Sequence, residues 1–243
     1  MKRIPILLFA FWMFSFTGCE QLLMILEGAS GTVNTTPTQG EIIQGLKQAL
    51  AEGTTRAATG LSKEGGFFND PTVFIPFPPE AQFVAEKLQQ LGLGNLVTDF
   101  VAKLNEGAEK GAKEAAPIFK QAITGMSIAD ASNILLGKDK RAATTYFETN
   151  TRVALFNAFS PKIRDVLEQV NAAQIWEQLT TRYNQIPFVS KKVETDIVKY
   201  ATDKALDGLF LKLSLEEEKI REDPLARTTD ILKKVFGYAA EQG

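Results

Sequence analysis

The strongest constraint on the fold is a four-residue beat in the carboxyl-terminal third, where Val193, Ile197, Ala201, Ala205, Leu209 and Leu213 recur at the spacing of one helix face. A strand would put apolar residues at every second position, so this pattern commits the segment to a helix packed along its length. The same period appears in GNLVTDFVAKLNE, through Leu96, Val97, Phe100, Val101 and Leu104. Further helical segments are read in GEIIQGLKQALAEG, EAQFVAEKLQQLG, an Ala-rich stretch broken at Pro117, SIADASNILLG, KRAATTYFETNTRVALFNAF, PKIRDVLEQV and AAQIWEQLTTRYN. Local signals mark their ends. Ser127 suits an N-cap, Pro161 suits the first turn of a new helix, and Ser214 with Glu217 has capping-box spacing. Glu216, Glu217 and Glu218 accordingly favour a helix amino terminus. The expectation is an all-α protein with one multi-helix domain over 41–243.

One segment breaks the period. In GGFFNDPTVFIPFPPE, residues 65–80, Pro71, Pro76, Pro78 and Pro79 forbid a helix, while Val73, Phe74, Ile75 and Phe77 favour extended chain. This predicts a long apolar loop or a short hairpin. Its Phe67, Phe68, Phe74 and Phe77 have two readings: aromatics that plug the helical core, or a lip for an apolar ligand or partner.

The amino end follows different rules. Lys2 and Arg3 precede the apolar run Ile4–Phe14, which has the length of a signal-peptide core and falls short of the roughly 20 residues a membrane-spanning helix needs. Small residues then lead to Cys19, the chain's single cysteine, in FTGCE. This stretch resembles the lipobox of bacterial lipoprotein precursors, with Phe16 where Leu is usual. The resemblance implies cleavage of residues 1–18, acylation of Cys19 and a membrane anchor. Glu20 after the cysteine then implies the outer membrane, facing the periplasm. Residues 19–40 read as a tether, because EGASGTVNTTPTQG is small, polar and aperiodic. The pentad LLMIL, residues 22–26, lies against the bilayer or packs on the domain. A lone cysteine makes no intramolecular disulfide, so the thiol is not a folding staple.

Composition narrows the chemistry. The chain has no histidine, which excludes histidine-dependent triads, histidine bases and Glu-x-x-His di-iron sites, and one cysteine excludes cysteine zinc sites. After cleavage 25 basic and 29 acidic residues remain, so no basic excess points to nucleic acid. SNILLGKD and GLGNLV fall short of phosphate-loop and dinucleotide patterns and read as helix ends. No cofactor is expected. The remaining polar candidates are Asp203 and Asp207, one turn apart and able to act as a carboxylate pair or hold a hard cation, and Arg221 and Arg227 flanking Pro224. Their alternative role is structural: a solvated helix face, and arginines tying a turn to its neighbour.

ALDGLF, EEEKIREDPLARTT, ILKKVF, IFKQAI, FNDPTVFIPFP and GKDKRAATTYF together resemble the bacterial domain-of-unknown-function family 4197, over about residues 40–238. The resemblance implies an all-helical envelope protein and assigns no activity and no site residues. The expectation is a lipid-anchored, non-enzymatic module that binds a protein partner or an apolar ligand. Its rival is a carboxylate-dependent enzyme or metal-binding protein built on Asp203 and Asp207.

Overall fold

The computed structural model describes residues 36–137, 139–185 and 192–242. Cys19, the signal segment, the LLMIL pentad and most of the tether lie outside the described residues. The described helices are α1 (Gln39–Leu61), α2 (Gln82–Gln90), α3 (Gly94–Ala112), α4 (Ala115–Gly125), α5 (Ile128–Leu136), α6 (Ala142–Glu168), α7 (Ala172–Asn184), α8 (Ile197–Glu222) and α9 (Asp230–Gln242). Short 3₁₀ turns cover Pro79–Ala81 and Pro224–Ala226, and no strand occurs among the described residues. The all-α expectation holds, and residues 65–80 form a loop of turns and extended chain rather than a hairpin.

The two longest helices, α6 and α8, pack on each other at the centre of the unit Pro37–Gly243. Helix α3 lies along α6, α1 lies along α8, and α4, α5 and α9 close around α1. The α3–α6 approach depends on two glycines one turn apart. A Cβ on Gly107 would meet Ile163 Cα at 3.0 Å, and one on Gly111 would meet the Phe159 ring at 2.7 Å. Phe119 meets Phe147 edge-to-face at 5.1 Å, with Phe210 beyond it, and every one of these rings is buried.

Several ends follow the sequence. Thr38 with Glu41, and Ser127 with Asp130, form capping boxes on α1 and α5. SNILLG ends α5, with Gly137 as its C-cap, and GLGNLV spans the α2–α3 turn, where Gly92 takes a φ of +74°.

Two predicted starts are not helix starts. Pro161 sits inside α6, which runs unbroken from Ala142 to Glu168. The missing N–H of Pro161 is outweighed by packing, since Phe159 and Ile163 on either side of it are both fully buried. Ser214 and Glu217 likewise lie within α8, as do Glu216 and Glu218. Glu217 turns inward instead. Its carboxylate accepts from the Ala143 N–H (3.0 Å), the Thr144 N–H (2.9 Å) and the Thr144 hydroxyl (2.9 Å), so it caps α6 from a neighbouring helix.

Candidate functional site

The loop 65–80 positions the site, and two side chains of α3 position the loop. Asn105 accepts from the Ile75 N–H (2.9 Å) and donates to the Ile75 carbonyl (2.9 Å), standing in for the missing sheet partner of an extended chain. One turn on, Glu109 accepts from the N–H groups of Phe67 (3.1 Å) and Phe68 (3.3 Å). Both side chains are buried. Lys212 pairs with Asp70 and, together with Thr72, holds its carboxyl down at about 2. The Tyr200 hydroxyl donates to the Pro76 carbonyl (3.2 Å), and burial, reinforced by Glu80, pushes it up to about 12.

The loop so held delivers Phe77 to the floor of a trough of about 1000 Å³. One wall comes from α2 and α3, through Phe83, Val84, Leu88, Leu96 and Phe100; the other is α7, through Ala172, Ile175, Trp176, Leu179 and Tyr183. The pattern of α7 explains the gap. Ala172, Trp176 and Thr180 form a buried stripe, whereas Ile175 and Leu179, one turn apart beside it, remain 54% and 50% exposed. Helix α7 packs on α6 and α8. Rings span the space between α7 and the opposite wall: Phe100 stacks on Trp176 at 5.7 Å, Phe77 meets both, and Phe83 meets Tyr183 at 4.7 Å.

Several polar groups of the trough lining are bonded within the fold, and the Asp99 carboxylate and the Tyr183 hydroxyl complete its polar side-chain lining. Trp176 Nε1 donates to the Glu194 carbonyl (2.9 Å), and the Thr180 hydroxyl donates to the Trp176 carbonyl (2.8 Å). Asn184 makes paired bonds with the backbone of Val193, fixing the carboxyl end of α7. At the rim, Lys103 binds Glu106 at 2.6 Å, and with Lys110 it holds that carboxyl below its ordinary range.

A family model described as "Protein of unknown function (DUF4197)" matches residues 36–237. The chain belongs to that family. No curated protein and no solved structure matches it. Nearly the whole described part of this DUF4197 chain is therefore one family unit, and the trough and the loop clamp both lie inside it.

In the DUF4197 domain the sequence candidates separate. Phe67 is completely buried core, Phe68 sits at the surface with its edge on Phe74 (5.7 Å), and Phe77 alone of the four lines the trough. Asp203 and Asp207 both face Arg152 of α6. Arg152 bonds Asp207 at 2.8 Å and lies 3.9 Å from Asp203, while Lys199 bonds Asp203 at 2.9 Å. Arg221 places two nitrogens on one Glu217 oxygen (3.0 and 2.8 Å) and a third bond on the Ile134 carbonyl (2.7 Å). Arg227 donates to the Ile220 and Arg221 carbonyls at the end of α8 (3.1 and 2.8 Å), a C-terminal cap. Asp207 and Arg221 are 14 positions apart on one helix, about 21 Å along its axis, so the acidic and basic pairs form two separate clusters. Among the described residues no group of three or more potential metal-binding side chains occurs.

Proposed function

We propose that this protein is a lipid-anchored, non-enzymatic binding module of the cell envelope. Cys19, acylated and leading the chain after cleavage behind Gly18, holds it at the outer membrane facing the periplasm. The residues between Cys19 and the Thr38 cap of α1 act as the tether, and the α2–α3–α7 trough takes an apolar ligand or partner. One observation carries the binding half: an open, almost wholly carbon-lined trough within the range of small-molecule sites, about 300–1,000 Å³. The anchor rests on the lipobox-like FTGCE after its basic start and apolar run. No helix of the described residues is long and apolar enough to cross a membrane.

The test is recovery of the full chain from intact envelopes, with mass spectrometry of the proteins and lipids that accompany it. The reading expects a reproducible companion that Ile175→Asp with Leu179→Asp removes. It also expects Cys19→Ser to leave the membrane fraction. A companion retained in full by the double variant would move the binding site elsewhere, and a Cys19→Ser chain that sediments like the parent would end the anchor.

A further inference from the structure

We infer that the occupant of the trough is the acyl chain of a lipid or fatty acid, an assignment that rests on the trough being the binding site. The polar inventory argues it first. An extended peptide laid there would bury its own N–H and C=O groups, and the trough has few atoms to receive them. The Trp176 and Thr180 donors are bonded to backbone and Lys103 is engaged by Glu106, which leaves the Asp99 carboxylate and the Tyr183 hydroxyl as the remaining polar side-chain groups of the lining, too few for the backbone of a peptide. An acyl chain brings no hydrogen-bonding group along its length and leaves none unpaired.

Shape argues it second. The α7 wall runs from Ala172 to Tyr183, about 16 Å at helical rise, and offers an apolar run of that length to an extended, unbranched chain, with the rings of Phe77, Phe100 and Trp176 along it.

The rim argues it third. Leu96 on one wall is 56% exposed, Val170, Ile175 and Leu179 of the lining are exposed as well, and Leu91 in the α2–α3 turn is 73% exposed. Isolated surface leucines are ordinary, but apolar residues gathered around an apolar cleft mark a contact site. This rim offers exposed apolar side chains to a chain passing from a hydrocarbon phase into the trough.

Trp176 supplies the readout, because Trp12 is the chain's other indole. Full-length Trp12→Phe protein is placed in lipid nanodiscs, and its emission is followed in two arms. One uses phosphatidylcholine brominated on its acyl chains. The other adds brominated palmitate to discs of unbrominated lipid. Bromine in the trough quenches Trp176, and quenching in either arm supports the inference and tells a phospholipid tail from a free fatty acid. Ile175→Asp with Leu179→Asp, both at exposed positions, is expected to keep the fold by thermal melting and weaken the quenching at least about tenfold. Quenching in neither arm, or quenching the double variant leaves intact, overturns the acyl-chain assignment. Anilinonaphthalene sulfonate then separates the two levels. Protein-dependent dye emission lost in the double variant keeps the trough as an apolar site with another occupant, and emission equal in both proteins removes the trough itself.

Discussion

The loop 65–80 and the α7 wall each contribute six apolar side chains, yet the loop buries Phe67, Val73 and Ile75 whereas the wall leaves Ile175 and Leu179 exposed. The loop's backbone is bonded by buried polar side chains, Asn105 and Glu109, and its middle is tied by Lys212 at Asp70 and Tyr200 at Pro76. Those bonds satisfy the main chain of a segment that has neither helix nor sheet, and so allow Phe67 and Ile75 to be buried completely. Across the trough the links are ring contacts between separate helices. Ring contacts are weak and adaptable, each worth about 0.5–1.5 kcal/mol beyond area burial. Apolar surface is thus consolidated where polar side chains fix the backbone and remains available where only rings bridge a gap.

The largest effect that sharpens this contrast is expected from Phe67→Ala, which empties a fully buried site and lowers unfolding free energy by about 3–5 kcal/mol in urea titration. Asn105→Ala follows. It orphans both polar groups of buried Ile75, a loss of about 2–4 kcal/mol with no direct contact to the trough removed. The same titration should find each of Ile175→Asp and Leu179→Asp within about 0.5 kcal/mol of the parent. If either costs as much as Asn105→Ala, the exposed rim is core and the contrast fails.

A pH titration separates the regions more gently. Asp70 is ionised in the folded loop down to about 2, below its ordinary 3.8, because of Lys212 and Thr72. A lowered carboxyl stabilises the fold above the unfolded value and loses that contribution as pH falls from about 4 to about 2. Parent and Asp70→Asn melting temperatures should therefore differ at neutral pH and converge by about pH 2. A difference that persists there would mean that Asp70 acts through something other than its charge.

How much of this was legible in sequence follows from the range of each interaction. The helices were, because their period is local, and so were the Ser127 cap and the loop that its prolines exclude from any helix. Pro161 and Glu217 misled for one reason: burial of Phe159 and Ile163, and the α6 amides that Glu217 reaches 74 residues away, are decided by distant packing. The trough was hidden similarly. AAQIWEQLTTRYN shows Ile175 and Leu179 beside the Ala172–Trp176–Thr180 stripe, an apolar face wider than one neighbour covers. Nothing local says which part of that face finds no partner. Phe77 shares its sequence setting with Phe67, Phe68 and Phe74, and only the clamp on Ile75 distinguishes it.

The smallest effect is expected from Asp203→Asn with Asp207→Asn. These carboxylates are about 38% and 53% exposed, and they share Arg152, with Lys199 on Asp203 alone. Exposed ion pairs are worth about 0.2–1 kcal/mol each, and removing both acids also leaves Arg152 its bond to Glu148 (3.0 Å). Arg152 further lies over the Phe210 ring at 5.9 Å, so its position does not depend on the two aspartates alone. The double variant should melt within a few degrees of the parent and keep its Trp176 response to brominated acyl chains unchanged. Loss of divalent-cation affinity at unchanged stability, read by calorimetry on both proteins, would instead revive the carboxylate reading and make the α8 face, not the trough, the working surface of the molecule.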